Sequence, residues 1–327
     1  MIVSLHKDAD IRSVKRNLTS LGLWVSATEQ NVASESFQLS LASCSATVDA
    51  KQILSIPGVC DVSVALSEHP RIDQQGALVD VNGYLFSTDS FTLMCGPCSV
   101  ENKEQIEDLA AKLAPLGVSF LRGGAFKPRS SPYSFQGHGN TALFWLKDAA
   151  VRHGLRIVTE ILSEADVRPV AEVADLLQIG SRNMQNFALL KQVGRTAKPV
   201  LLKRAMSATV EDWLLAAEYL LFHGATGVIL CERGIRSFDH TTRNLLDLSS
   251  VALLSHVHHL PVVVDPSHAT GRRDLIFPLG KAALAAGASG LLIEVHDDPG
   301  NALSDGAQAV TTSELQLFCN NLRLGLR

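Results

Sequence analysis

The sequence contains no long hydrophobic run and has little net charge. No uninterrupted apolar stretch reaches the roughly 18 residues that a membrane span needs, and the opening segment MIVSLHKDAD lacks the features of a secretory signal. The net charge of the 327 residues is -4 and no polybasic run occurs, which leaves no general field for nucleic acid or an anionic membrane. We therefore expect a cytoplasmic protein that binds no nucleic acid and no membrane, and that binds anions only through local clusters of charge.

Cysteine is scarce, and its spacing excludes a disulfide framework. The six cysteines are scattered through the chain, at Cys44, Cys60, Cys95, Cys98, Cys231 and Cys319. A reducing compartment suits this distribution best. The segment Cys95-Gly96-Pro97-Cys98 nevertheless matches a thioredoxin-type redox motif, which would indicate a thiol-disulfide oxidoreductase. Against this alternative, the motif stands at the start of a long pattern of eight strand-helix units, whereas thioredoxin-like domains are short.

Residues 1–66 have the pattern of a small α+β unit. Four short strands are predicted, at residues 2–5, 24–28, 37–41 and 62–66, and apolar and polar residues alternate in the last two. Helical patterns connect the first strand to the second and the third to the fourth, so the order is βαββαβ, that of a ferredoxin-like unit. Such a unit could bind a small effector at a pairing interface, or it could serve only structure and assembly. Residues 67–77 are polar, contain Pro70 and are predicted to form a linker.

Residues 78–327 are predicted to form one large domain. Its first segment, Leu78 to Phe86, reads as a short β-hairpin because Asn82-Gly83 suits a type I′ turn, and it could plug one end of a barrel. Eight apolar runs then alternate with helical patterns: FTLMCGPC, SFLRGGA, RIVTEI, LLQIGSR, PVLLKR, VILCERG, PVVVDPSH and GLLIEVH. Continuous apolar runs indicate strands of a parallel sheet, and eight such units match a closed (β/α)8 TIM barrel. An open doubly wound sheet is the alternative, although the G-x-G-x-x-G turn that would favour it is absent.

Ionisable residues follow the predicted barrel strands. Because active sites in such barrels lie at the C-terminal ends of the strands, we expect these side chains to meet at one mouth. The cations among them are Arg122, Lys127, Arg129, Arg182, Lys203 and Arg233. Their mutual repulsion favours bound anions and predicts two phosphorylated substrates, or two phosphates together with a carboxylate. The alternative is a set of solvated surface cations.

A second set of residues could bind a metal. Cys98, His268, Glu294 and Asp305 lie at or beyond separate strand ends and offer a thiolate, an imidazole and two carboxylates, which suit a divalent transition metal. Simpler roles stay open on spacing alone. Cys98 could be a buried small hydrophobe, His268 could cap a helix, and the two acids could be partners of the arginines.

Several long motifs occur in one order between about Leu78 and the C-terminus: GPCSVE, LRGGAFKPRSSPYSFQG, QIGSRNMQN, PVLLKR, ILCERGIR, VDPSHATGRRD, IEVH and ALSDG. They resemble the 3-deoxy-D-arabino-heptulosonate 7-phosphate (DAHP) synthase family, closest to its type I beta subclass. The related 3-deoxy-octulosonate 8-phosphate synthases share the barrel and are the alternative. Their loop typically reads K-A-N-R-S-S where this chain has Lys127-Pro128-Arg129-Ser130. The resemblance implies an aldol-like condensation of phosphoenolpyruvate with erythrose 4-phosphate that releases phosphate, the first step of the shikimate pathway.

The resemblance also implies a role for each candidate residue. A divalent metal, Mn²⁺ by preference and otherwise Zn²⁺, Fe²⁺ or Co²⁺, would be held by Cys98, His268, Glu294 and Asp305 and would act as a Lewis acid. Phosphoenolpyruvate would be bound by Arg122, Lys127, Glu160, Arg182, Lys203 and Arg233. Erythrose 4-phosphate would be bound by Lys127, Pro128, Arg129, Ser130 and Asp305. The predicted catalytic residues are Lys127, Cys98 and His268, with Lys127 as proton donor to the forming hydroxyl and Glu160 orienting the water.

The N-terminal unit resembles the regulatory domain attached to some members of the type I beta subclass. This implies an aromatic amino acid, tyrosine or phenylalanine, as effector. A homo-oligomer, either a tetramer or a dimer, is expected because the small domain offers pairing surfaces. One departure from the family pattern is Ala205, which stands where glycine is expected after Lys203-Arg204 and could narrow the site. The segment from Ser131 to Gly137 could move as a lid.

Overall fold

The computed structural model describes residues 1–31, 36–42, 45–63, 67–127, 129 and 131–325. The chain divides into two units, Met1–Glu68 and His69–Arg327. None of the helices in this described part of the chain has the length and apolarity that crossing a membrane requires.

The first unit is a four-stranded sheet with two helices. Its elements follow one another as β1 (Ile2–Leu5), α1 (Ile11–Ser20), β2 (Val25–Asn31), β3 (Ser36–Leu41), α2 (Ala50–Leu54) and β4 (Val59–Ser63). The strands lie in the order β2-β3-β1-β4, and all neighbours are antiparallel. The predicted ferredoxin-like order is therefore confirmed. The fourth strand begins at Val59, earlier than predicted, and residues 64–66 of the prediction lie outside the described residues.

Helix α1 supplies much of the core of this unit. It begins after Asp10, whose carboxylate accepts hydrogen bonds from two backbone amides of the first turn. Val14 and Leu18, one turn apart, are fully buried and belong to the same apolar cluster as Val3 and Leu39 of the sheet.

The second unit contains a closed barrel of eight parallel strands. It begins with α3 (Pro70–Gln75) and the strands β5 (Leu78–Val81) and β6 (Tyr84–Ser87). The barrel strands are β7 (Thr92–Gly96), β8 (Phe120–Arg122), β9 (Arg156–Ile161), β10 (Leu176–Ile179), β11 (Val200–Lys203), β12 (Val228–Glu232), β13 (Val262–Val264) and β14 (Gly290–Glu294). The barrel closes because β14 pairs with β7, which places Ile293 beside Cys95. This closure confirms the predicted TIM barrel and excludes the open doubly wound sheet.

Both faces of the barrel strands are apolar. The other helices of this unit are α4 (Lys103–Leu113), α5 (Asn140–His153), α6 (Val167–Ala171), α7 (Phe187–Gly194), α8 (Val210–Phe222), α9 (Leu248–Ala252), α10 (Pro266–Thr270), α11 (Ile276–Ala285) and α12 (Thr312–Gly325). One apolar cluster joins these helices to the strands. A second cluster takes residues from every barrel strand: Met94, Phe120, Val158, Leu176, Leu201, Ile229 with Cys231, Val263 and Leu292. Burial on both faces explains why the strands are continuous apolar runs in the sequence.

The predicted hairpin closes the end of the barrel where the strands begin. Strands β5 and β6 pair as antiparallel neighbours, and their turn residues Asn82 and Gly83 have φ values of 51° and 76°, as a type I′ turn requires. Val79, Val81 and Phe86 are buried in the same cluster as the interior strand residues. The hairpin thus lies opposite the C-terminal strand ends, where the candidate site residues are found.

The stretch predicted as a linker contains helix α3, so that prediction is corrected. The backbone amides of Arg71 and Ile72 donate hydrogen bonds of 2.8 and 3.0 Å to the carboxylate of Glu218 in α8. The Ile72 side chain is completely buried in the cluster between helices and strands. Pro70 is compatible with this helix because it stands in the first turn, where no intrahelical amide donor is needed. A single apolar anchor among polar residues was too weak a signal to predict the helix.

Truncating the hairpin core should destabilise the barrel. We expect Phe86→Ala to lower the free energy of unfolding by about 3–5 kcal/mol, because Phe86 is fully buried in the barrel interior cluster. The neighbouring Leu85 is 62% exposed, so Leu85→Ala should change stability by about 0.5 kcal/mol or less. Urea unfolding followed by circular dichroism measures both, and equal midpoints for the two variants would contradict a role for the hairpin in the core.

Candidate active site

A cleft of about 470 Å³ lies where the barrel strands end. The predicted residues that line it are Lys127, Arg129, Glu160, Arg182, Lys203, Arg233, His268 and Asp305. Cys98 and Glu294 are buried and contact lining residues, Lys127 and His268 respectively. Arg122 in turn contacts Glu294. The structure therefore brings the described candidate residues together, while Pro128 and Ser130 lie outside the described residues.

The strand order divides the mouth of the barrel into two arcs. The possible metal ligands follow β7, β13 and β14, which are consecutive in the ring. Lys127 and Arg129 follow β8 at one end of this arc, and Arg233 follows β12 at the other. Glu160, Arg182 and Lys203 come from the remaining strands, β9 to β11. In a ring of eight, β8 and β12 are opposite one another, so Arg129 and Arg233 come from opposite sides of the mouth.

Four side chains in the first arc converge closely enough to bind one metal ion. One potential ligand atom from each of Cys98, His268, Glu294 and Asp305 lies within 4.8 Å of all the others. Cys98 Sγ is 3.1 Å from Asp305 Oδ2, and His268 Nε2 is 3.2 Å from Glu294 Oε1. A thiol, an imidazole and two carboxylates form the mixed S/N/O set that suits divalent transition metals such as Mn²⁺, Fe²⁺, Co²⁺ and Zn²⁺.

The charges of this cluster also suit a cation. Burial alone would raise the pKa of Glu294, but His268, Arg122 and Lys127 lower it to about 2. Burial and the nearby Glu294 raise the pKa of the Cys98 thiol to about 12, against the opposing effect of Lys127. A divalent cation among these groups would remove the thiol proton, because a coordinating thiol is deprotonated by the ion itself.

Hydrogen bonds orient the groups that would hold the metal. His268 Nδ1 is 2.7 Å from Asp265 Oδ2, which also accepts a hydrogen bond of 2.5 Å from Lys203 Nζ. Burial would raise the pKa of Asp265, but His268 and Lys203 hold it well below its usual value. Gln308 Nε2 donates to Glu294 Oε2 at 2.6 Å. Such contacts fix the ring orientation of a ligand histidine and the rotamer of a ligand carboxylate.

The loop after β7 and the segment after β14 are joined residue by residue. Next to the Cys98–Asp305 contact, the hydroxyls of Ser99 and Ser304 are 2.8 Å apart and both residues are buried. Glu101 Oε1 then accepts a hydrogen bond of 2.8 Å from the backbone amide of Leu303. These contacts place Asp305 beside Cys98 although the two residues are 207 positions apart in the sequence.

Lys127 lies between the cleft and the four potential metal ligands Cys98, His268, Glu294 and Asp305. Its Nζ donates to Cys98 Sγ at 2.9 Å and to the backbone oxygen of Cys98 at 3.1 Å. Burial would lower the pKa of Lys127, but its interactions with Cys98 and with the Glu294 carboxylate raise it, so the ammonium form is favoured. Gly124 permits this approach, because a Cβ there would lie 2.8 Å from the Cys98 backbone oxygen and 3.0 Å from Lys127 Cδ.

Several polar atoms around the cleft have no partner within the described part of the chain. They include Arg122 Nε, Arg233 Nη1 and Ser181 Oγ, which are all buried. Burial lowers the pKa of Arg233, and Asp265 partly opposes that effect. Unsatisfied buried donors are costly, so their presence at one cleft indicates that an anion completes their hydrogen bonding.

Gly180 leaves the space that the carboxylate of Glu160 occupies. A Cβ on Gly180 would lie only 1.9 Å from Glu160 Oε1, so glycine is required for Glu160 to point into the cleft. The Glu160 carboxylate also accepts a hydrogen bond of 3.4 Å from Gln178 Nε2.

Several residues of the site were not predicted from the sequence. Arg243, Met206 and Ser134 line the cleft, and Gln308 contacts Glu294. They lie in irregular segments, some of them far beyond a strand end, so the strand-end pattern had no signal for them. Ala205, by contrast, packs against the cluster between helices and strands, and it is absent from the described residues that line the cleft.

The segment from Ser131 to Gly137 lies at the rim of the cleft, where Ser131 and Ser134 line it. Its base is closed by a hydrogen bond of 2.9 Å from the Lys127 amide to the Gln136 backbone oxygen. Gly137 has a φ of 89°, and a Cβ there would lie 2.2 Å from the Ala125 backbone oxygen.

Comparison with known proteins identifies the family. The model of the DAHP synthetase I family matches residues 81–323, nearly all of the barrel unit. This chain belongs to that family. Phospho-2-dehydro-3-deoxyheptonate aldolase of Thermotoga maritima is 51% identical over 244 residues, which cover 75% of this chain and 71% of the relative. A crystal structure of DAHP synthase from the same organism has a TM-score of 0.77 at 40% identity and covers 99% of this chain and 96% of that one.

Relatives from the alternative branch are more distant. 2-dehydro-3-deoxyphosphooctonate aldolase of Acidithiobacillus ferrooxidans is 34% identical over 238 residues, covering 67% of this chain and 83% of the relative. Membership of the DAHP synthase family, which the motifs predict, is thus confirmed, and the octulosonate branch is only a distant relation.

The redox alternative is not supported by the positions of its two cysteines. Cys95 lies within β7, is fully buried, and belongs to the cluster between strands and helices. Burial raises its pKa well above the usual value, so its thiol is a poor nucleophile. Cys98 is one of the four potential metal ligands, and neither thiol forms a disulfide bond.

Removing the charge of Asp265 should weaken metal binding in this DAHP synthase family member. We expect Asp265→Asn to raise the Kd for Mn²⁺ by about 10–100-fold, because His268 loses the carboxylate that orients its ring. Asp274→Asn removes a charge from an exposed position and should leave the Kd unchanged. Calorimetric titration of metal-free protein measures both, and unaltered binding by Asp265→Asn would show that this carboxylate does not support the metal ligand.

Proposed function

We propose that this chain is a DAHP synthase, which condenses phosphoenolpyruvate with erythrose 4-phosphate and releases inorganic phosphate, the first step of the shikimate pathway. The observation that carries the proposal is one cleft in which Cys98, His268, Glu294 and Asp305 lie beside a set of cations. Two substrates with two phosphates and a carboxylate supply the anions that such a set requires.

The substrates are proposed to occupy different parts of the mouth. Phosphoenolpyruvate is bound by Arg122, Lys127, Glu160, Arg182, Lys203 and Arg233. Erythrose 4-phosphate is bound by Lys127, Pro128, Arg129, Ser130 and Asp305. This division is supported by the ring order of the strands, in which Arg129 and Arg233 come from opposite sides, and by the unpaired buried donors of Arg233 and Arg122. Holding both substrates in one cleft converts an encounter of three molecules into a reaction of oriented groups.

The chemistry requires one carbon–carbon bond and one carbon–oxygen bond to form and one carbon–oxygen bond to break. C3 of phosphoenolpyruvate attacks the aldehyde carbon, water adds at C2, and the C2–O bond to phosphate then breaks. Cys98, His268, Glu294 and Asp305 would hold a divalent metal, with Mn²⁺ as our first choice over Zn²⁺, Fe²⁺ or Co²⁺, and that metal would supply Lewis-acid polarisation of the aldehyde. Lys127 donates a proton to the forming hydroxyl, since its ammonium form is favoured and its Nζ lies beside Cys98. Glu160 orients the water, and the cations stabilise the charge on the departing phosphate.

Loss of the metal or of the Cys98 thiol should abolish this activity. With a divalent metal, the purified protein should consume both substrates and release phosphate, and chelation should reduce the rate by at least about 100-fold until the metal is restored. Cys98→Ala should have the same effect, whereas Cys60→Ala, which removes an exposed thiol from the N-terminal unit, should not. Full activity after chelation or in Cys98→Ala would refute the metal assignment. Faster turnover with arabinose 5-phosphate than with erythrose 4-phosphate would favour the octulosonate branch.

We further propose that residues 1–66 form a regulatory domain of the type I beta kind and that the chain is a homo-oligomer, a tetramer or a dimer. The ferredoxin-like unit carries exposed apolar side chains suited to pairing, among them Trp24 at 55% and Leu54 at 45% exposure. Exposed apolar residues also occur on the barrel helices, including Phe144 and Val151 of α5. Sedimentation velocity measures the number of subunits.

An aromatic amino acid should inhibit the full chain. L-tyrosine or L-phenylalanine is expected to lower the rate and to raise the thermal midpoint, because an effector that binds only the folded state stabilises it. The D-enantiomers are the matched control and should do neither. Deletion of residues 1–68 should abolish the inhibition while the activity remains. Absence of any shift or inhibition with either L-amino acid would contradict the proposed regulation.

A further inference from the structure

One cation of the cleft has no role in the proposed binding scheme. Arg243 lies in the irregular segment between β12 and α9, and it lines the cleft together with Arg233 and His268. Its guanidinium forms no ion pair and no hydrogen bond within the described ranges of the chain. An arginine at a cleft without a carboxylate partner is available for an anionic ligand.

The backbone around Arg243 is fixed to the helix that carries His268. The amide of Arg243 donates to the Thr270 backbone oxygen at 2.9 Å, and the amide of Asn244 donates to that of Ala269 at 2.9 Å. Asn244 Nδ2 donates to the His268 backbone oxygen at 3.2 Å. Gly271, with a φ of 63°, lets the Arg243 side chain pack closely, since a Cβ there would be 3.1 Å from both Cβ and Nε of Arg243. These hydrogen bonds fix the backbone of Arg243, so its guanidinium starts from a defined position at the rim of the cleft.

Arg243 lies close to a second arginine that also lacks a partner. Arg233 is buried, and its Nη1 has no hydrogen-bond partner among the described residues. Burial and the positive charge of Arg243 lower the pKa of Arg233, and Asp265 opposes both effects. Two guanidinium groups that line one cleft repel each other, and a doubly charged anion bound between them offsets that repulsion.

We propose that Arg233 and Arg243 together form one phosphate-binding position, which takes the phosphate group of phosphoenolpyruvate and then the inorganic phosphate that this group becomes. The inference rests on the proposed function and adds Arg243 to it as a binding residue. The position lies on the β12 side of the ring, opposite Arg129 on the β8 side. The phosphate of erythrose 4-phosphate is therefore not its ligand.

Binding of phosphoenolpyruvate alone tests the assignment without any turnover. In calorimetric titration of metal-loaded protein, Arg243→Gln should raise the Kd for phosphoenolpyruvate by about tenfold, the loss of one charge-assisted contact. Arg243→Lys keeps the charge but loses the planar fork, and it should raise the Kd only about threefold. Arg236→Gln is the matched control, because Arg236 is exposed in the same segment and does not line the cleft. Its Kd should equal that of the unaltered chain, and the thermal midpoints of all the variants should agree.

Kinetics of the active protein separate the sources of phosphate. Arg243→Gln should raise the KM for phosphoenolpyruvate and the inhibition constant of inorganic phosphate by similar factors, while the KM for erythrose 4-phosphate stays unchanged. Arg129→Gln should show the reverse pattern for the two substrates. An unaltered Kd for phosphoenolpyruvate in Arg243→Gln, or a rise confined to the KM for erythrose 4-phosphate, would overturn the inference. Arg243-dependent binding of phosphoenolpyruvate in a protein that forms no DAHP would instead refute the proposed function and leave this binding position standing.

Discussion

A fully buried carboxylate, Glu294, is the group on which the arrangement of the barrel mouth depends. A carboxylate can stay charged in the interior only if opposite charges and donors replace water. Glu294 receives them from Arg122 at the end of β8, His268 in α10 and Gln308 in the segment after β14. Each partner belongs to a different element, so neutralising one buried charge fixes the positions of three separate parts of the barrel mouth. The same concentration of negative charge makes this place suitable for a cation.

Buried donors without a partner are concentrated at the mouth of the barrel, although Arg156 Nε at the start of β9 is another among the described residues. At the end where the strands begin, the hairpin covers the interior, and its own polar groups find partners, such as Asn82 with Asp175 and Tyr84 with Thr92. At the mouth, buried donors of Arg122, Arg233 and Ser181 lack such partners among the described residues. One end contributes stability, and the other retains costly unpaired groups that a ligand can complete. This contrast distinguishes a binding cleft from a loop cluster that merely carries charge.

Much of the fold could be predicted because its signals are local. Strands buried on both faces are continuous apolar runs, and the start of α8 carries the local pattern of a capping box, in which Thr209 and Asp212 bond to one another's backbone amides. The strand ends also predicted which candidate residues would meet, since parallel strands in a barrel deliver their C-terminal ends to one mouth. Helix α3 was missed because it depends on Glu218 of a distant helix and on one buried side chain, Ile72. Arg243 and Gln308 were missed for a similar reason, because contacts with remote elements position them and no local pattern marks those contacts.

The β5–β6 hairpin determines at which end of the barrel substrates enter and products leave. Val79, Val81 and Phe86 fill the far end of the barrel together with the interior residues of the strands. Molecules therefore cannot pass through the barrel from one end to the other. Both substrates must enter, and the sugar acid and phosphate must leave, on the side where Lys127 and Arg233 lie. In a cleft that is open only at the mouth of the barrel, a molecule bound deep in the cleft is covered by any molecule that enters later. The substrate that contacts the deepest groups therefore has to bind before the substrate that lies above it.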